Sequence, residues 1–216
     1  MSTGLRERRK QQTRQAISDV ATQMFAARGF DDVTISQVAD AAGVAKMTVT
    51  NYFPRKEDLV FDRAETIIRS LADVITARAP GESLLAAIRR DYAERVARAD
   101  VTLGLSSPAF VRMIAGSPVL VSRGLDLQDQ RERALGDAIA AETGVDEPRQ
   151  RLAAALLSSV HRVLYAEAAA RSLAGQPRDE ICAVLAEAAP RAFDLLEPSL
   201  GGYLVRPQAG GPASAG

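Results

Sequence analysis

The segment KMTVTNYFPRK, residues 46–56, brings amide, hydroxyl, thioether, phenol and cationic side chains together in one short stretch. These groups match the edges and the backbone of a nucleic-acid duplex. Asparagine can bond both polar atoms of an adenine edge, and a threonine or methionine methyl can meet the thymine methyl. Lys46, Met47, Thr50 and Asn51 are therefore candidates for contact with base edges. Thr48, Tyr52 and Lys56 are candidates for phosphate by residue type. Thr34 would add a phosphate contact from the N-terminus of a preceding helix.

Two short helices must hold these groups. Thr34 fits an N-cap, and Gln37, three residues on, completes a capping box. Ile35, Val38, Ala39 and Ala42 then repeat at i, i+3, i+4, i+7, one apolar face of a helix. Gly43 follows, where a turn needs a residue tolerant of positive φ. The next helix can run from about residue 45 to 53, because Pro54 disfavours helical geometry in the residue before it. Val49 and Phe53 face one way on it; Met47, Thr48 and Asn51 project roughly opposite, with Lys46 and Thr50 at the margin. Two helices around a glycine turn, the second polar outward, suit a helix-turn-helix that reads the major groove.

The run AAGVAKMTVTNYFPRKEDL resembles the signature of the TetR family of transcriptional regulators. Thr34, Val38, Ala39, Ala42, Gly43, Val44, Thr48, Tyr52, Phe53, Lys56 and Leu59 match the family pattern. Ala45 departs from it, standing where a serine commonly caps the recognition helix, a loss of about 0.5–2 kcal/mol of cap stability. Thr50 stands where an aromatic residue is frequent, which bears on operator preference. The resemblance covers about residues 10 to 60. It implies phosphate roles for Thr48, Tyr52 and Lys56, a helical body enclosing a small-molecule pocket at roughly residues 60–170, and dimerisation through the last two helices.

Composition agrees with an all-α fold. Alanine is abundant, aromatic residues make up only 5%, and 47% hydrophobic with 25% charged residues marks a globular chain. A net charge of zero looks wrong for a DNA binder until it is divided by position. Residues 1–56 hold nine Lys or Arg against five acids, so this head is +4 and the remainder −4. A basic head on an acidic body is expected when one end meets phosphate. Cys182, the single cysteine, excludes an intrachain disulfide. No signal peptide is visible, and no apolar run reaches the length of a spanning helix, so a cytoplasmic protein with no membrane association is expected.

Residues 1–7 are expected to be disordered, with Arg6, Arg8, Arg9, Lys10 and Arg14 forming a basic arm into a first helix that ends near Arg28. Ile17, Val20, Ala21, Met24 and Phe25 form its buried stripe. Residues 8–56 would then be the DNA-binding domain, 57–200 a ligand-binding and dimerisation domain, and 201–216 a disordered, Gly/Pro/Ala-rich tail. After Pro54, Lys56-Glu57-Asp58-Leu59 is expected to open a long helix that runs to about Arg78, and another is expected over 83–99, with Leu84, Leu85, Ile88, Tyr92 and Val96 inward. Ser107-Pro108 and Ser117-Pro118 each place a cap before a first-turn proline, starting helices over 108–115 and 118–143. Gly144 closes the second, and Asp146 is expected to cap a helix over 148–173. The last helix, from Pro177 or Arg178 to about Leu196, contains Pro190 and should kink there. Leu152, Leu156, Leu157, Val160 and Leu164 on one helix, and Ile181, Val184, Leu185, Ala188 and Phe193 on the other, form a hairpin with wide apolar faces.

Phe61, Tyr92, Leu103, Phe110, Met113 and Tyr165 are pocket candidates, and His161, four residues before Tyr165, could meet a polar ligand group. Ordinary core packing would explain the same residues. Asp91, Glu94 and Asp100 read as a solvated helix face. No cofactor or metal is called for: one histidine and one cysteine cannot build a His-based metal cluster. Ser158-Ser159-Val160-His161 has no orienting arrangement that would activate a serine, and enzyme motifs are absent. The expectation is a homodimeric repressor on a palindromic operator, released by an unidentified small molecule. A ligand-blind dimerisation or interaction protein with a DNA-binding head, and an activator of the same fold, are the alternatives.

Overall fold

The computed structural model describes residues 2–145 and 147–208, with side chains described from residue 6 onward. The helices are α1 (Ser2–Arg28), α2 (Ile35–Ala41), α3 (Lys46–Tyr52), α4 (Ala64–Ala77), α5 (Leu84–Ala97), α6 (Pro108–Gly116), α7 (Pro118–Thr143), α8 (Pro148–Leu173), α9 (Arg178–Asp194) and α10 (Glu197–Leu200). Two 3-10 turns, Lys56–Leu59 and Val101–Leu103, complete the regular structure, and no strand occurs among the described residues. The fold is all-α, as composition and periodicity require. The chain divides into two compact units, Met1–Ala64 with Arg112–Leu125, and Glu65–Val111 with Asp126–Gly216. Residues 57–64 and 112–125 thus group with the helix-turn-helix, where the sequence suggested a single cut after residue 56.

In the first unit, Ile17, Ala21 and Phe25 of α1 are buried with Val38, Ala39, Val49 and Phe53, and Phe30 meets Phe25 at 5.2 Å between ring centroids. Arg14 fastens α1 to the far end of α3. Its guanidinium donates to the Tyr52 carbonyl at 2.7 Å and the Asp62 carbonyl at 2.9 Å, and lies 4.3 Å over the Phe53 ring. The expected disorder of residues 1–7 is not what is found where the chain is described: α1 begins at Ser2. Gly4 is the only poor helix former at that end, and one glycine costs about 1 kcal/mol, too little to stop a helix that α1's buried face already nucleates.

The long helix expected to open at Lys56 and run to about Arg78 is interrupted. A 3-10 turn covers Lys56–Leu59 and α4 starts only at Ala64. Leu59 and Val60 are buried and Phe61 is half-buried. Three successive residues span about 200° of an α-helix, so no single helical face can bury all three. Asp58 holds the break: one carboxylate oxygen accepts the Arg55 N–H at 3.1 Å and the other pairs with Arg123 at 2.9 Å.

The second unit has its core between α5, α8 and α9. Tyr92, Ile88 and Leu85 meet Leu157 and Leu164 of α8 and Leu185 and Phe193 of α9 in one buried cluster. Ser83 caps α5, its Oγ accepting the Ala86 N–H at 3.2 Å. Gly104 has φ +88°, and a Cβ there would stand 2.9 Å from the Tyr165 carbonyl oxygen, so only glycine lets this loop lie against α8.

The tail also differs from expectation. Residues 201–208 are bound to the body: the Gly81 N–H donates to the Arg206 carbonyl at 2.7 Å, and the Arg206 N–H to the Glu82 carbonyl at 3.0 Å. The Arg206 guanidinium donates to the Thr76 carbonyl at 2.9 Å, and Tyr203 and Leu204 pack on the core. Arg78, only 2% exposed, sits beneath this strap, paired with Glu142 at 2.8 Å and donating to the Leu204 carbonyl at 3.0 Å. Composition marks the stretch as a linker, but one arginine and two apolar side chains suffice to anchor it. The expectations for Asp146 and for residues 209–216 lie outside the described residues. Glu147 is the N-cap of α8 and makes no side-chain cap bond; Pro148 follows at the first turn.

Asp91 and Asp100 do not form the solvated face that the sequence suggested. Arg95 is buried between them, its guanidinium 3.5 Å from Asp91 and 3.3 Å from Asp100. A buried cation must find partners, and these two carboxylates are drawn inward with it. Glu94 stays exposed, pairing with Arg90 at 3.2 Å.

Candidate nucleic-acid interface

The two helices of the first unit are built as their residues dictate. Thr34 Oγ1 accepts the Gln37 N–H at 3.3 Å, and Gln37 Oε1 accepts the Thr34 N–H at 2.9 Å, so the capping box is closed in both directions. Gly43 takes φ +67° in the turn. Ala45 occupies the N-cap of α3 without a side-chain bond, leaving that helix end open toward solvent. Val49 and Phe53 are fully buried, which fixes the rotation of α3 about its axis.

That rotation sets the outer face. Lys46, Met47 and Asn51 are exposed, Met47 at 69%. Thr50 is half-buried, and its hydroxyl donates to the Met47 carbonyl at 3.1 Å, so its methyl is the part left for a base edge. Thr48 and Tyr52 share a half-buried flank. Thr34 is exposed; its oxygen serves the cap while its hydroxyl proton remains available to an acceptor such as phosphate. Lys56 is more constrained than its residue type suggests, with Nζ 4.2 Å above the Phe30 ring and donating to the Asp31 carbonyl at 3.4 Å.

Arg6, Arg8, Arg9 and Lys10 are exposed along α1. Arg14, grouped with them in the sequence, is instead spent on the two carbonyls and the Phe53 ring described above. Its signal was ambiguous because a buried clasp and a basic arm use the same residue type.

The seven ligand candidates fall into both units. Phe61 and Met113 belong to the first, where Phe61 packs beside Gly124. Tyr92, Leu103, Phe110, His161 and Tyr165 belong to the second. There His161 is 2% exposed and meets Tyr92 edge-to-face at 5.1 Å, with Phe193 at 5.8 Å from Tyr92. Burial, helped by the nearby Arg131 and Arg95 charges, pushes the His161 imidazole well below its usual range, so it is neutral at physiological pH. Burial pushes the Tyr92 and Tyr165 phenols up. Leu103 is ordinary core and Phe110 is half-buried. Arg131, hidden in the polar run DLQDQRER of α7, gave no sequence signal, yet its Nε is enclosed beside this cluster. Among the described residues no group of His, Cys, Asp and Glu is arranged to hold a metal, and no helix is long and apolar enough to cross a membrane.

Comparison with known proteins agrees with this geometry. The family described as bacterial regulatory proteins, tetR family, matches residues 17–62, the segment from the buried face of α1 to Asp62. The HTH-type transcriptional regulator TcmR of Streptomyces glaucescens is 28% identical over 205 residues, covering 91% of this chain and 88% of that one. The HTH-type transcriptional regulator RutR of Escherichia coli is 30% identical over 130 residues, 56% of this chain and 57% of its own. Among solved structures, Salmonella enterica GusR superposes with a TM-score of 0.53 at 19% identity, over 88% of this chain and 95% of that one. At that identity the superposition speaks for the fold alone.

Proposed function

Because the chain belongs to the TetR family of bacterial regulatory proteins, we propose that it is a homodimeric transcriptional repressor that leaves a palindromic operator when a small molecule binds its helical body. The outward face of α3 carries the proposal: Lys46, Met47 and Asn51 stand in solvent while Val49 and Phe53 lock the helix against α1 and α2. Thr34, Thr48, Tyr52 and Lys56 flank that face as phosphate contacts, with Lys56 reaching it by leaving the Asp31 carbonyl. Thr50 offers its methyl. Such contacts to phosphate position the helix, and the base-edge contacts specify the sequence.

The dimer is supported by an outer apolar stripe. Leu157, Val160 and Leu164 join the core and Leu156 packs half-buried against it, whereas Leu152 and Val163, eleven residues apart and so on one side of α8, are 59% and 63% exposed. A second copy of α8 and α9 would cover them, and two-fold pairing of recognition helices matches a palindrome. The chemistry is binding, without catalysis, and the site of action is the cytoplasm.

Selection of random duplexes by the purified protein at two salt concentrations tests the reading. Enrichment of a palindrome with steep salt weakening is expected. Recovery of no common sequence would refute operator recognition.

A further inference from the structure

The two ends of α3 are tied down by different means. At its start the turn holds it to α2: the Gly43 N–H donates to the Asp40 carbonyl at 3.2 Å and the Val44 N–H to the Ala39 carbonyl at 3.0 Å. Its far end stops at Tyr52, and no further turn of helix follows to take up the last carbonyls. Arg14 supplies a partner from α1, Nη1 donating to the Tyr52 carbonyl at 2.7 Å while the guanidinium lies 4.3 Å over the Phe53 ring. A cation there also meets the negative end of the helix dipole.

Ser18, one turn further along α1, completes the grip. Arg14 Nη2 donates to the Asp62 carbonyl at 2.9 Å, and the buried Ser18 Oγ donates to the Asp62 carboxylate at 2.8 Å. One side of α1 therefore holds Asp62 by backbone and side chain and, through the same guanidinium, the end of α3. A planar fork can serve two carbonyls and stack on a ring at once; a lysine ammonium is a compact point charge and cannot. Val49 and Phe53 set how α3 is rotated, but apolar burial is non-directional and leaves the helix free to rock. The clasp removes that freedom at the end that carries Asn51.

We propose that Arg14, seconded by Ser18, is a positioning residue for operator reading: it fixes the tilt of α3 and gives its charge to the fold, with none left for phosphate. This rests on the DNA-reading face of α3 proposed above and adds to its specificity a residue that never touches DNA. The exposed Arg6, Arg8, Arg9 and Lys10 of the same helix have no such clasp to serve and remain free for the salt-dependent attraction that any duplex exerts.

Full-length wild type, Arg14→Gln, Arg14→Lys and Ser18→Ala are compared on the selected operator and on a scrambled duplex, over a range of salt, where circular dichroism shows each protein folded. Arg14→Gln is expected to weaken operator binding about tenfold, to leave the scrambled duplex within about twofold, and to keep the slope of log K against log salt. A phosphate contact would instead weaken both duplexes and reduce that slope by about one. Arg14→Lys keeps the charge and is still expected to lose nearly as much as Arg14→Gln, and Ser18→Ala about threefold. Where Arg14→Gln does not fold, the other two variants carry the comparison. Hydrogen exchange without DNA reads the clasp itself: α3 amides should exchange about tenfold faster in Arg14→Lys than in wild type, with those of α8 unchanged. Full operator affinity in Arg14→Lys, a shallower salt slope in Arg14→Gln, equal loss on both duplexes, or unchanged α3 exchange would each overturn the assignment. A wild type that selects no operator, with α3 exchange still faster in the variants, would remove operator recognition and leave the clasp as a contact of the fold alone.

Discussion

Asn51 and Tyr52 are neighbours in sequence, but α3 turns them to different surroundings: Asn51 stands in solvent, while Tyr52 lies half-buried with its carbonyl held by Arg14. Under the proposed function Asn51→Ala removes one base-edge contact, lowering discrimination at a single base step by about 1–3 kcal/mol. Tyr52→Phe should weaken all sequences alike. Competition between the selected operator and scrambled duplexes measures both; equal loss on the two for Asn51→Ala would remove its role in base reading. His161 makes a second prediction. Its folded pKa lies well below the unfolded value of about 6.5, so in acid the unfolded chain binds a proton that the fold refuses. Stability should therefore be flat above about pH 7.5 and fall as pH drops through 6.5, by at most about 1.4 kcal/mol per pH unit, one proton's worth. Urea midpoints between pH 8 and 5.5 should show this slope, and His161→Gln, which removes the only histidine, should flatten it.

At the scale of elements, Gly104 is where one residue decides whether two segments can meet. Gly104→Ala puts a Cβ 2.9 Å from the Tyr165 carbonyl at a φ of +88°, two strains on one bond. A loss of about 1–3 kcal/mol is expected, read as a lower Tm of the purified variant with α-helical circular dichroism retained. The sequence offered no hint of this, because a glycine between two helices has many reasons to be there. The elements that were legible are those whose signals are local. Thr34 with Gln37, Gly43, Ser83, Pro108 and Pro118 each mark a helix end through their own backbone or capping chemistry, and α2, α5, α6 and α7 begin where they say. What sequence could not convey depends on partners far along the chain: Asp58 breaking the helix after Leu59 by meeting Arg123, Arg14 clasping α3, and Arg206 strapping the tail to the 79–82 loop. For the candidate site the division is the same. The outward set on α3 followed from 3.6-residue periodicity, whereas nothing in the sequence marks Arg131, half-buried with its Nε shielded near Arg95 of α5 and Arg162 and Tyr165 of α8.

For the whole molecule, the distribution of charge and of exposed apolar surface points to two different partners. The first 56 residues carry +4, the sign that the proposed function requires of a surface meeting a polyanion, and the remainder carries −4. The body's exposed apolar surface includes Leu152 and Val163, eleven residues (three turns) apart and so on one side of α8. Isolated exposed leucines need no explanation, but a stripe along the outer side of a core helix fits a surface that is covered by another copy. Leu152→Asp with Val163→Asp places two carboxylates on that stripe without touching Leu157, Val160 or Leu164. The variant is expected to sediment as a monomer, to keep its helical circular dichroism, and to lose most of its affinity for a full palindrome. It should still bind a half-site about as weakly as the wild type does, because each α3 is unchanged. A variant that stays dimeric would place the subunit contact elsewhere, and a monomer that still holds the full palindrome tightly would uncouple dimerisation from operator binding.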